Sequence, residues 1–513
     1  MYAPPLCRPP PLPPCTTPEL DSVCPVLTPT PAGEELAEAY LAAIRGSTAA
    51  LQEFAGALPK GGDIHTHLTG APYAEDVAQG AAAAGAWLCT DTLQVAAPPA
   101  SAADNAECPG GWQPLAAALA APNGTDVLQA LVGEWSFQDY AGSDPYWYFF
   151  QRFSVFDYAM SVQLPRLVQL LAEQAERENV LYLEIIGSMP AGPALEAANV
   201  SAWDTRLLEA QERRDGAAAQ ELLSQLHSEL TAQPDWEAAV QATVDANEAL
   251  LAGLNSTVLV RLQAYMVRSG GSPTEVLAAL ATGAEAIAAS SALVALNLVA
   301  PEADPLALRD YWIQMQIFKF IRETYPDAPF ALHAGELEQG LVPDADLDWH
   351  ISEAVKVARP RRIGHGNDLP FERDALATLQ EMKRQGTVLE VLLSSNEVLL
   401  GIEGTAHALG MYRAAGIPFV IGSDDPGIMR GSLTEEYMKL FRDYNLTYKE
   451  AKQAAFNSIR HSFIKEAEVK QELEKELEGA FKQFEASMPE RVAVLGGSDS
   501  ALGALLARGG QPG

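Results

Sequence analysis

Short apolar segments rich in β-branched residues recur along the chain, separated by longer stretches in which Leu and Ala repeat at helical spacing. The apolar segments fall at 62–68, 180–187, 257–266, 292–300, 329–333, 362–365, 387–393 and 418–423. Strands alternating with helices predict a parallel sheet, and eight such units predict a closed α/β barrel of the TIM (β/α)8 type. The Ala-rich run 276–300 is the longest apolar stretch. It contains Glu285 and reads as a helix followed by a strand, so no membrane span is expected.

The same pattern divides the chain. Residues 1–32 are Pro-rich and read as a disordered leader, with neither the basic start nor the apolar core of a signal peptide. Residues 33–58 read as an N-terminal helix packed beside the barrel, and 59–487 as the barrel itself, closing with a charge-rich helical stretch at 432–487. An insertion of about 73–150 follows strand one and is longer than one crossover helix needs. Residues 488–513, rich in Gly and Ala, read as a flexible tail. At the end of the insertion an aromatic run, 147–158, repeats Phe149, Phe150, Phe153 and Phe156 at helical spacing. That stripe suits a core-facing helix, and it equally suits an apolar lid over a flat ligand.

Charge narrows the partners. A formal net charge of −33 repels phosphate backbones, which argues against a nucleic-acid polymer. The cysteines are Cys7, Cys15, Cys24, Cys89 and Cys108, and none has the CxxC spacing of a cysteine zinc site. Cys89 and Cys108 bracket a loop that a disulfide could staple, with two unpaired thiols as the alternative. Of eleven asparagines, four stand in Asn-x-Ser/Thr sequons (Asn123, Asn199, Asn255, Asn445), which together with that pair leans toward an extracellular or secretory setting over a cytoplasmic one.

Candidate chemistry gathers at strand ends, where active sites of this fold lie. Asp63-Ile64-His65-Thr66-His67 ends strand one, and residues i and i+2 of a strand share a face, so both imidazoles point into the barrel mouth. His333 at strand five offers a third nitrogen, with Glu336 one turn beyond it as an acid/base group. His365 at strand six stands between two glycines, and Asp424-Asp425 follows strand eight. Neighbouring strand residues face opposite ways, so one Asp is expected at a metal and the other, at the loop start, at a substrate. Three His and one Asp make a site for one metal ion with a position left for water, whose pKa bound zinc lowers to about 7.

With these residues in this order, the chain resembles the adenosine deaminase family of metal-dependent amidohydrolase barrels, from about residue 58 to 464. The resemblance rests on PKGGDIHTHLTGA, YLEIIGSMP, LNLVAPE, HAGE, RIGHG, SSNEVLLG, SDDPG and NSIRHSF. In layout, the N-terminal helix and the insertion look most like the secreted, growth-factor-related branch and some bacterial relatives. The resemblance implies one Zn2+ per chain on His65, His67, His333 and Asp424. It implies Glu336 as donor to the purine ring nitrogen N1, His365 as the base that orients the attacking hydroxide, and Asp425 as partner of N7. It implies a small-molecule purine nucleoside, adenosine or 2′-deoxyadenosine, as substrate, contacted by Thr69, Gly70, Ala300 and Phe153. A homodimer stays open as the assembly.

Three positions depart from that pattern. Thr69 stands where an acidic residue usually holds the ribose 5′-hydroxyl, and a hydroxyl binds it more weakly than a carboxylate. Ala300 stands where a Gly amide usually meets N3, so a methyl intrudes. Strand seven reads Leu392-Leu393-Ser394, where Cys-Pro usually precedes the hydroxyl residue. Adenine or an N6-substituted adenosine is therefore the alternative substrate. AMP is disfavoured, since Arg430 is the only obvious cation near Asp425. A non-catalytic nucleoside-binding protein on the same barrel would have lost a ligand or Glu336, and all are present.

Overall fold

The computed structural model describes residues 31–99 and 108–495. Strands with apolar residues at successive positions need cover on both faces, which a parallel sheet wrapped in helices provides. All eight expected strands form: β1 (Gly61–His67), β2 (Val180–Ser188), β3 (Leu259–Val267), β4 (Leu293–Val299), β5 (Ala331–Ala334), β6 (Arg362–His365), β7 (Val388–Val391) and β8 (Phe419–Ile421). They pair in parallel as two arcs, β1-β2-β3-β4 and β5-β6-β7-β8.

The arcs meet at both edges. Thr66 bridges Asp424, where the His67 amide donates to the Asp424 carbonyl at 3.0 Å and the Asp424 amide to the His65 carbonyl at 2.9 Å. Leu296 bridges Phe330, and the Leu296 amide donates to the Pro329 carbonyl at 3.0 Å. The eight strands thus close into the barrel that their alternation predicts.

Local chemistry sets the element ends. The apolar run 276–300 resolves into helix Pro273–Ala289 and β4, and the helix starts in a capping box. There the Ser272 hydroxyl accepts from the Glu275 amide at 3.4 Å, and the Glu275 carboxylate from the Ser272 amide at 2.8 Å. The single helix expected over 33–58 is two, Pro31–Ile44 and Thr48–Ala57. The break falls at Ser47, whose extended backbone and side chain, accepting from the Ala50 amide at 3.4 Å, cap the second helix. Phe54 of that helix sits among Tyr40, Phe441, Tyr448 and Phe484 with ring centroids 5.2–6.3 Å away, tying the N-terminal helices to the C-terminal ones.

The expected leader lies outside the described residues except for Pro31 and Ala32, which open the first helix. Of the expected tail, 488–495 is helix (Met488–Leu495) with Met488 and Val492 buried, and the remainder lies outside the described residues. Between β2 and β3 the chain makes three helices, Ala197–Glu212, Gly216–Thr231 and Trp236–Leu251, an elaboration the strand pattern leaves unmarked.

In the insertion, strands Trp87–Cys89, Val95–Ala96 and Trp112–Pro114 form a small antiparallel sheet. A disulfide joins Cys89 to Cys108 across a separation of 19 residues. Closing a loop of that length contributes on the order of 3 kcal/mol by restricting the unfolded chain. The aromatic run forms helix Pro145–Ser161, capped by Asp144. Among the described residues, no helix is long and apolar enough to cross a membrane.

Candidate active site

The four residues expected at a metal converge at the C-terminal mouth of the barrel. His65 Nε2 and His333 Nε2 are 3.1 Å apart, and His67 Nε2 and His333 Nε2 are 3.3 Å apart. Asp424 Oδ1 lies 3.5 Å from His65 Nε2 and 3.3 Å from His67 Nε2. Tetrahedral ligands bound to zinc at 2.0–2.2 Å lie about 3.3 Å from one another, so these spacings match the edges of a zinc site. Ligand atoms of His65, His333, His365 and Asp424 also fall within 4.8 Å of one another. His67 Nε2, at 3.3 Å from both His333 Nε2 and Asp424 Oδ1, stands as close to the cluster as the other two imidazoles do.

Three of the four rings at the cluster are aimed by a partner on Nδ1. His65 Nδ1 meets Glu390 Oε2 at 2.5 Å, His333 Nδ1 meets Asn297 Oδ1 at 3.0 Å, and His365 Nδ1 meets Asn396 Oδ1 at 2.9 Å. With Nδ1 donating, each Nε2 is left with a lone pair facing the centre, the arrangement that orients imidazole ligands. Electrostatics follow the same layout. Burial opposes charge on His65, yet the carboxylates of Glu390 and Asp424 push it up to about 10. Burial and the neighbouring imidazoles hold His333 well below its ordinary value, and burial lowers His67. Asp424 is buried, but hydrogen bonds from His65 and His67 bring its carboxyl far down.

The backbone at the site is unusual. Ala300, His365 and Asp424 have φ of +79°, +66° and +60°, a region that residues with a Cβ rarely occupy and that clusters at functional sites. The left-handed turn at Asp424 explains a departure from strand alternation: both Asp424 and Asp425 face the same cavity. Glycines make the room. A Cβ on Gly364 would stand 2.7 Å from His65 Cε1, and one on Gly70 would stand 1.5 Å from Asp425 Oδ1. At Ala300 the left-handed conformation costs an L-residue about 1–2 kcal/mol, against roughly 0.5–1 kcal/mol for glycine's freedom when unfolded. Ala300→Gly is therefore expected to raise stability by about 0.5–1 kcal/mol, read as a higher urea midpoint at unchanged slope.

Above the cluster is a cavity of about 430 Å3. Glu336, His365, Asp425, Thr69, Ala300 and Phe153 all line it, together with His67, His333 and Asp424. His65 lies beneath it, and Gly70 is not part of the wall; it clears space for Asp425 instead. Phe149, Phe150, Phe153 and Phe156 line one side from helix Pro145–Ser161. Phe149 and Phe156 are also buried in the core, so the stripe is a core-facing helix that at the same time walls the cavity.

Two polar atoms at the cavity are buried without a partner, His365 Nε2 and Asp425 Oδ1. His365 Nε2 faces Glu336 Oε1 at 3.7 Å, beyond hydrogen-bond range. Burial, reinforced by Asp424 and Glu302, raises Glu336 well above the carboxylate range, and burial lowers His365 to about 4. Burial and the adjacent Asp424 raise Asp425 strongly.

Behind the wall stand residues with no assigned role in the sequence. Glu302 accepts from the backbone amides of Gly335 at 3.2 Å and Glu336 at 2.9 Å, meets His350 Nδ1 at 2.7 Å, and faces Arg268 Nη1 at 3.5 Å. Arg268 and His350 overcome its burial and hold it at about 2. Deeper, Arg362 binds Glu390 Oε1 through Nε at 2.5 Å, Glu184 Oε1 through Nη2, and the His461 carbonyl at 2.9 Å. Glu184 continues through Gln263 (2.9 Å) and Asn297 (2.9 Å) to His333, so one buried network steadies two of the imidazoles. The signal available in sequence was a carboxylate inside an apolar strand, at Glu184 and Glu390.

A closed parallel barrel with imidazoles and carboxylates at its strand ends defines a barrel of the amidohydrolase class. Residues 210–480, more than half of the chain, match the family model for adenosine deaminase, and the chain belongs to that family. Curated relatives include adenosine deaminase of Plasmodium gallinaceum, 27% identical over 168 residues (33% of this chain, 43% of that protein). They include adenine deaminase of Rhizobium rhizogenes, 31% identical over 138 residues (26% and 39%), and adenosine deaminase of Enterococcus faecalis, 33% identical over 147 (28% and 39%). The matched stretch thus spans less than half the length of these relatives. Similar solved structures are Arabidopsis ADAL complexed with GMP (TM-score 0.51, 18% identity, 83% of this chain and 98% of that one) and adenine deaminase from Arthrobacter aurescens (0.50, 17%, 82% and 98%). The N6-methyl-AMP deaminase of Arabidopsis thaliana is similar to the same degree (0.51, 17%, 84% and 98%), and these likenesses establish the shared fold.

Proposed function

We propose that the chain is a zinc-dependent aminohydrolase that converts adenosine or 2′-deoxyadenosine to inosine or 2′-deoxyinosine, releasing ammonia. The observation that carries this reading is the convergence of His65, His67, His333 and Asp424 at metal-site spacing directly beside Glu336 and His365. A zinc ion held by the four ligands would supply Lewis acidity, bringing the pKa of water to about 7. Glu336, kept protonated by burial, donates to N1 of the purine and makes C6 electrophilic. His365 Nε2, unpartnered and neutral at neutral pH, accepts a proton from the attacking water. Asp425 Oδ1, also unpartnered, meets N7. Phe149, Phe150, Phe153 and Phe156 pack over the flat ring and exclude bulk water. The C6–N bond then breaks as the amino group takes the proton held by His365 and leaves as ammonia, while the remaining hydroxyl proton at C6 passes to Glu336 as the C6=O forms.

A second reading, an adenine or N6-substituted adenosine as substrate, is favoured by the adenine deaminases among the relatives and by the weakened ribose contact at Thr69. A nucleotide is disfavoured. No Lys or Arg lines the cavity among the described residues, and both guanidinium ends of Arg430 are taken by Glu75 at 2.8 Å. The test is the ultraviolet shift from the aminopurine to the oxopurine, run with adenosine, 2′-deoxyadenosine, adenine, N6-methyladenosine and AMP. Turnover should be present with zinc, absent after chelation, and strongest for an uncharged nucleoside. A zinc-replete preparation inert on the whole panel overturns the proposal.

Glu302 bears on the same chemistry, since it fixes the backbone of Glu336. Glu302→Gln places an amide NH2 against N–H donors, so kcat should fall about 10–100-fold at unchanged zinc content and nearly unchanged KM. A proportionate loss of zinc would instead assign Glu302 to the metal site.

A further inference from the structure

The floor of the barrel, at the end opposite the active site, carries a second concavity of about 400 Å3. Arg359, Arg361, Arg384, Arg460 and Lys470 line it together with His461, and no carboxylate does. The cations come from separate elements: the connection before β6, the last turn of helix Ala375–Gln385, the end of helix Tyr448–Arg460, and helix Ala467–Ala486. Five of the 34 Lys and Arg residues gather here in a chain of net charge −33, so general solubility does not explain them.

Helix ends account for part of the cluster only. Arg384 and Arg460 complement helix C-termini, and each is paired, with Glu381 and with Glu474. Arg359 spends one nitrogen on the Lys356 carbonyl at 3.3 Å, and the Arg361 side chain has no hydrogen bond or ion pair among the described residues. Both are exposed. The positive field acts on its neighbours: burial together with Arg361 and Arg362 lowers Lys470, and burial together with Arg362, Lys470 and Arg460 lowers His461.

We propose that this floor cavity binds a compact phosphate-bearing anion, an inorganic or nucleoside polyphosphate, through the guanidinium groups of Arg359 and Arg361 with Arg384, Arg460 and Lys470 around them. Guanidinium forks match phosphate oxygens two at a time. The volume suits a ligand of nucleotide size. A long polyanion would have to lie across the acidic remainder of the surface, which repels it.

The experiment titrates inorganic pyrophosphate and uridine triphosphate, each with Mg2+, into the zinc-replete full chain by calorimetry. Uridine triphosphate lacks the 6-amino group, so the active site does not compete, and the two probes separate free from nucleoside-borne phosphate. One saturable site per chain is expected, weakening as salt rises from about 50 to about 200 mM. Arg361→Glu/Arg384→Glu should weaken binding about tenfold or more, and the milder Arg361→Gln/Arg384→Gln several-fold, with adenosine turnover unchanged in both. Absence of saturable binding by both probes overturns the proposal. So does unchanged binding in the variants, and so does capture of a sulfated polysaccharide through these arginines while neither probe binds.

Discussion

Glu336→Gln should lower turnover of adenosine by about 10²–10⁴-fold while leaving zinc content and unfolding midpoint close to those of the unaltered chain. The carboxyl lines the cavity, and burial together with Asp424 and Glu302 raises it well above the carboxylate range, which favours its protonated form. Glutamine preserves the volume and can still offer an N–H, but it cannot give up a proton to N1. The loss should therefore fall on kcat, with KM little changed. Stopped assays with metal analysis on the same sample check it. Near-normal turnover would remove Glu336 as the acid and leave the purine reading without its proton source.

Arg362→Met should produce the largest loss of stability, about 3–5 kcal/mol in urea unfolding. Arg362 is fully buried, and its guanidinium is the cation between the carboxylates of Glu184 and Glu390, which are themselves at 0% and 1% exposure. Removing it strands two buried charges in the barrel floor, and the thioether offers them no donor. Because Glu390 aims His65, zinc affinity should fall as well, by about 10–100-fold. A variant as stable as the parent would mean that the carboxylates find protons or partners elsewhere.

The parts of the molecule legible in the sequence are those set by local period. β1 to β8 announce themselves because buried parallel strands are apolar on both faces, and His65 with His67 because alternation puts i and i+2 together. What lay hidden depends on departures from period or on tertiary pairing. Asp424 and Asp425 share a cavity only because Asp424 turns left-handed at φ +60°. Gly70 reads as a ligand contact in its motif, yet its lack of a Cβ serves Asp425. Arg362, Glu184 and Glu390 are visible as charges in apolar strands, but which charge meets which is fixed by positions far apart in the chain. The helix break at Ser47 is a capping event, set in the short Arg45-Gly46-Ser47-Thr48 stretch between two runs of Ala and Leu.

The seam between the first and last strands has a consequence for how the molecule comes into being. Thr66 and Asp424, which bond across it, are 358 residues apart in the chain. During synthesis His65 and His67 therefore meet Asp424 only when nearly the whole barrel has emerged and β8 arrives. A cation that needs both halves binds the finished ring far better than any earlier state, and its binding free energy adds directly to the work of opening that seam. On the proposed metal site, metal content would record completion of the fold: a chain whose last strand has not docked would offer three nitrogens and no clasp.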